Sequence, residues 1–209
     1  MDPTGNTKEI NLTILYEDPD SDEGRREVEE ALERVEKSLD LSIESYPVSR
    51  VESVRPKSLV YLLAVLKNPE TVRAIEEVPK RGAQLLGKLP LEHIASRAAE
   101  KAKSSGCKEL ILLYKKTPGV YREEQDDAWR LAMLIENLSG IPVTPSDTPE
   151  LGGDCIIVAS LTRGSLTSEA SVAASMYGKK ILAGSVLELV GDDLPQLIRR
   201  ALRASGIIV

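Results

Sequence analysis

Phenylalanine is absent from this 209-residue chain, and tryptophan and histidine occur once each. The lone histidine, His93, leaves no second imidazole for a zinc or general-base site, which needs partners converging from other elements. A Ser-His-Asp triad could run only through His93, and no GxSxG elbow is present. Two cysteines, Cys107 and Cys155, exclude a disulfide scaffold and a cysteine-only zinc site. No stretch approaches the roughly 18 consecutive apolar residues of a membrane span, so no membrane partner is expected. The polar opening, Met1 to Thr7, holds no signal-peptide core, and a cytoplasmic location is expected. A net charge of −6 lacks the cationic surface that phosphate neutralisation needs, so no nucleic-acid partner is expected. Asparagine and glutamine are scarce while glutamate, lysine and arginine are plentiful, a balance that leans towards a thermophile.

What is present reads as alternating strands and helices. A strand over 10–16 runs into the turn residues Glu17, Asp18, Pro19 and Asp20. A helix follows from about Glu23 to Leu39, with Val28, Ala31, Leu32, Val35 and Leu39 on one face. Asp20 or Ser21 can cap it. A short strand over 41–46 ends at Pro47, and the apolar run 59–66 reads as a strand covered on both faces in a parallel sheet. A helix over about 70–80, a strand over 83–86 and a helix over 91–104 closed by Gly106 complete the first half.

The second half repeats this order. Strands are expected at 110–114, 141–143, 155–161 and 181–186, and helices at 123–138, 168–177 and 194–204. Ile14-Leu15-Tyr16 matches Leu112-Leu113-Tyr114, and the stripe at 28, 31, 32 and 35 recurs at 128, 131, 132 and 135. Leu89-Pro90 and Leu194-Pro195 open the two last helices. These correspondences indicate a duplication, residues 8–106 and 107–209, with parallel sheets and right-handed crossovers. Cys107 leads into one strand and Cys155 begins its expected neighbour. Parallel strands lie about 4.8 Å apart, so a disulfide is within reach if the side chains point the same way, although a cytosolic location disfavours one.

Ligands of open α/β sheets sit beyond the carboxyl ends of the strands, which selects four loops. In the first half these carry Glu17, Asp18 and Asp20, then Lys67 and Asn68. In the second half they carry Lys115, Lys116 and Thr117, then Thr162, Arg163, Gly164 and Ser165. The acidic trio reads either as a hard-cation loop or as a helix cap with solvated turn residues. Lys115, Lys116 and Arg163 read either as an anion clamp or as ordinary surface cations. Thr162 to Ser165 is the most site-like segment, because small residues before a helix can offer backbone N–H groups to an anion. Tyr121 is placed to line such a cleft, whereas Trp129 is expected to pack and His93 to be a surface or half-buried structural residue.

Each half resembles the half-domain of the class II chelatases, the sirohydrochlorin cobalt and nickel chelatase family. The resemblance lies in element order, in Leu85-Leu86-Gly87-Lys88-Leu89-Pro90-Leu91, and in Ala183-Gly184-Ser185-Val186 through Gly191-Asp192-Asp193-Leu194-Pro195. It implies an α/β fold of tandem duplicated half-domains with a central cleft. It also implies a link to cobalamin biosynthesis and an anionic tetrapyrrole such as sirohydrochlorin bound by Lys67, Asn68, Lys115, Lys116, Tyr121 and 162–165. Co²⁺ or Ni²⁺ would be the substrate metal, with Glu17 and Asp18 in the catalytic positions. The family's metal-binding histidines are absent: those turns read Tyr16-Glu17-Asp18-Pro19, Tyr114-Lys115-Lys116-Thr117, Lys67-Asn68-Pro69 and Thr162-Arg163-Gly164. A non-catalytic ligand-binding or scaffolding protein of the same fold is the alternative. A periplasmic-binding-like pair of domains is a second fold reading.

Overall fold

The computed structural model describes residues 11–48, 62–66, 84–86, 89–115, 121–150 and 152–204. The expected helix over 70–80, together with Lys67, Asn68, Lys116 and Thr117, lies outside the described residues. In chain order the elements are β1 (Asn11–Glu17), α1 (Asp22–Leu39), β2 (Ser42–Val48), β3 (Leu62–Leu66), β4 (Gln84–Leu86) and α2 (Leu91–Ser104). They continue with β5 (Leu110–Leu113), α3 (Tyr121–Ser139), β6 (Val143–Ser146), β7 (Cys155–Val158) and α4 (Ser165–Tyr177). The last are β8 (Lys180–Ala183), α5 (Val186–Val190), a 3₁₀ turn (Gly191–Asp193) and α6 (Leu194–Ala204). No described helix is long and apolar enough to cross a membrane.

The strands form two four-stranded sheets of like order, β2-β1-β3-β4 and β6-β5-β7-β8. The second is wholly parallel, as the expected crossovers require. The first is not. β1 pairs with β2 in parallel, but β3 runs antiparallel to both β1 and β4. The expectation of a parallel first sheet is thereby corrected. An unbroken apolar run such as 62–66 reports cover on both faces and is silent about direction.

Two boundaries are corrected for one shared reason. β2 continues through Pro47, and β6 starts two residues later than expected and includes Pro145. Both are edge strands, where a residue without an N–H is tolerated. The strand expected over 181–186 is shorter, and a helix that the sequence reading does not include, α5, follows it. β8 ends at Ala183, and Ser185 caps α5 by accepting from the Glu188 N–H at 3.1 Å.

Alternation assigns the faces. Leu110, Leu112 and Tyr114 join the core shared with the first half, whereas Ile111 and Leu113 meet Ile156, Val158, Leu166 and Ala170 beneath α4. The inner faces of both sheets are covered by helices that pack on one another: α1 against α6, and α2 against α3. Both of these helices bury small residues in the core, Ala95, Ala98, Ala99 and Ala102 of α2 and Ala128 and Ala132 of α3. One continuous core therefore runs from Leu12 and Ile14 of β1 to Ile198 and Leu202 of α6. Trp129 of α3, expected to pack, is 52% exposed instead. Cys107 and Cys155 form a disulfide with Cα atoms 6.0 Å apart, tying the entry of β5 to the start of β7.

Candidate functional site at the junction of the halves

The N-terminus of α1 docks onto the loops that follow β7 and β8. Ser21 caps α1, accepting from the Gly24 N–H at 3.0 Å, and its hydroxyl also donates to the Arg163 carbonyl at 2.8 Å. Gly24 is required by this approach, because a Cβ there would stand 2.5 Å from the Arg163 carbonyl oxygen. One turn on, Glu27 accepts from the Arg163 N–H at 2.8 Å and from the hydroxyl of the fully buried Ser185. Burial pushes the Glu27 carboxyl above the ordinary glutamate range, against the bonds from Ser185 and Arg163, which lower it.

Arg163 is held on both sides. Its Nη2 donates to Glu188 Oε2 at 2.7 Å, and its Nη1 lies 3.7 Å from Glu23. Glu188 also accepts from the Gly184 N–H at 2.7 Å. Thr167 accepts from the Gly164 N–H at 3.1 Å and donates to the Gly184 carbonyl at 2.7 Å, joining the two loops.

Asp20 occupies the start of α4. Its carboxylate accepts from the Ser165 N–H at 3.3 Å and from the Ser165 hydroxyl at 2.5 Å, with Lys115 Nζ at 3.7 Å. A Cβ at Gly164 would stand 1.7 Å from Asp20 Oδ1. The backbone N–H groups and the helix dipole that suit an anion at this terminus thus meet a carboxylate supplied by the chain itself.

The structure therefore brings together Asp20, Lys115, Thr162, Arg163, Gly164 and Ser165. Asp18 stands apart, 3.7 Å from Arg25 on α1. Glu17 closes β1 opposite Val48. Tyr121 opens α3, and its side chain, like those of Lys67, Asn68 and Lys116, lies outside the described residues. Glu27, Thr167, Ser185 and Glu188 are junction residues that the loop rule passed over. Ser185-Val186-Leu187-Glu188 carries a legible signal, since Ser followed three residues later by Glu before an apolar run marks a helix start.

A second inter-half contact surrounds His93. Its Nε2 lies 2.8 Å from Asp193, which also receives two bonds from Arg97, at 2.7 and 2.8 Å. The Arg97 guanidinium, and then His93, hold the Asp193 carboxyl below the usual aspartate range. A cavity of about 490 Å³ beside this contact is lined by Arg97, Lys101, Glu188 and Asp193, whose charges already face one another. Among the described residues, no group of three or more His, Cys, Asp or Glu could hold a metal ion. Compared with protein-family models, with curated proteins and with solved structures, the chain matches none.

Proposed function

We propose that this protein is a non-catalytic binding or scaffolding module, in which the loops that would hold a ligand instead lock the two halves together. The observation that carries this reading is Asp20 seated on the first turn of α4, with Arg163 already ion-paired to Glu188. An anionic tetrapyrrole placed there would displace a tethered carboxylate and confront Glu23, Glu27 and Glu188. Like charges at such distances oppose binding. The residues nearest this position also fit the lock on their own terms: Ser21, Gly24 and Glu27 each contact the 162–185 loops directly.

Titration with sirohydrochlorin, alone and with Co²⁺, tests the reading through the visible absorption of the tetrapyrrole. No saturable spectral change is expected at micromolar protein. Arg163→Ala should instead lower folding stability by about 1 kcal/mol, the scale of a partly exposed charge-assisted bond. Micromolar tetrapyrrole binding that Arg163→Ala abolishes, with stability unmoved, would restore the diverged-chelatase reading.

A further inference from the structure

The connection from β6 to β7 is unusually brief. These strands run parallel on opposite sides of β5, and such a crossover ordinarily takes a dozen or more residues, usually with a helix laid on the sheet. Here it spans 147–154, whose described residues form turns and bends. The passage from β7 to β8 moves across the sheet in the same direction and carries α4 on the outer face. A right-handed β6-to-β7 crossover would lay its helix on that same face, beside α4. That position holds a groove of about 500 Å³, walled by 147–150 and by one flank of α4.

The flank is apolar where a helix would touch it. Val172 and Met176 are one turn apart, 58% and 68% exposed, and Tyr177 continues the stripe. Its opposite flank, Leu166, Ala170 and Ala173, is buried on the sheet. The rim is acidic, with Glu150 on one wall and Glu169 on the other, and among the described residues no ion pair neutralises either. Lys179, at the end of α4, is held by the Gly152 carbonyl and lies over the Tyr177 ring. A second copy of the chain is a poor occupant. A two-fold pairing through this face would set each acidic rim against its own image, in a chain of net charge −6.

We infer that the groove takes a cationic amphipathic helix from a partner protein, which supplies the layer that the β6-to-β7 connection omits. Apolar side chains at helical spacing would lie along Val172 and Met176, and lysine or arginine on the flanks would reach Glu150 and Glu169. This face is separate from the locked loops, so its test does not depend on the reading proposed above.

The probe is a fluorescent synthetic peptide of leucine and lysine at helical spacing, followed by anisotropy on the full chain. A counterpart with glutamate for each lysine is the control. The lysine peptide should bind saturably and at least tenfold more tightly than the control. The exposed pair Val172→Ser and Met176→Ser, with circular dichroism unchanged, should weaken it at least tenfold. Glu150→Lys with Glu169→Lys should reverse the preference towards the glutamate peptide. Equal binding of the two peptides, or full affinity in the serine pair, overturns the inference. So does self-association of the unmodified protein that the serine pair abolishes, because the occupant is then a second copy.

Discussion

The two sheets share a strand order and differ in how their central strands are written. β5 reads Leu110-Ile111-Leu112-Leu113, with each of these side chains fully buried, half of them under α4 and half towards the shared core. β1 reads Asn11-Leu12-Thr13-Ile14-Leu15-Tyr16-Glu17, with polar residues at 11, 13 and 17 and an apolar one at Leu15 between them, and Leu12, Ile14 and Tyr16 are its residues in that core. A strand apolar on both faces reports cover on each side of its sheet, and alternation reports cover on one side, as is common where a sheet includes antiparallel neighbours. The first sheet has such a neighbour in β3, and the second has none among the described residues. The two sheets thus share a strand order and differ in topology.

The largest expected effect sharpens that contrast through the disulfide, which lies wholly within the parallel half. Reduction should lower stability by about 4 kcal/mol, the loop-closure value for a separation of 48 residues, measured by denaturant unfolding with and without reductant. A loss below about 1 kcal/mol would mean that the parallel sheet needs no staple. Next is Ile111→Thr, which writes the β1 pattern into β5 by placing the Thr13 residue type at the corresponding position. Beneath α4 the hydroxyl has no water and the lost methyl leaves a gap, so about 2–3 kcal/mol should be lost. An unchanged midpoint would show that the outer face of the second sheet tolerates a polar residue at this position.

The smallest effect is read at the junction, where the halves meet. Glu27→Ala leaves the Arg163 N–H and the Ser185 hydroxyl without their acceptor and should cost about 2 kcal/mol. Glu27→Gln keeps an acceptor and removes the charge. Because the folded carboxyl sits above its ordinary 4.5, its contribution is full below that value and is lost as pH rises through the raised one. Relative to the unmodified protein, Glu27→Gln should therefore gain stability between acidic and neutral pH. Asp193 has the opposite sign: its contribution is present above 3.8 and is lost as pH falls below it. Parallel pH–stability curves for the two proteins would show that Glu27 is not desolvated by the junction.

Much of the fold was legible. Helical spacing placed α1, α2 and α6 to within a residue or two, and the turn at Gly106 has the positive φ of 68° that its role needs. The sense of β3 was not legible, because Leu62 to Leu66 encodes burial alone. The α5 helix was missed although Ser185 and Glu188 announced it, since Ile181 to Ala183 drew the strand reading onward. At the site, the loop rule found Arg163, Gly164 and Ser165, but not that Asp20 would fill the space before them. That depends on residues 145 positions apart in sequence meeting in space, which no local pattern records.

The same long reach bears on how the chain comes off the ribosome. The apolar stripe of α1, from Val28 to Val35, is finished early, yet one of its packing partners is α6, which begins at Leu194. At synthesis rates of about 5–20 residues per second, that stripe waits roughly ten to thirty seconds for the partner to emerge. Throughout that interval it is a sticky surface on a nascent polypeptide. Any stop codon ahead of α6 would leave the stripe without this partner.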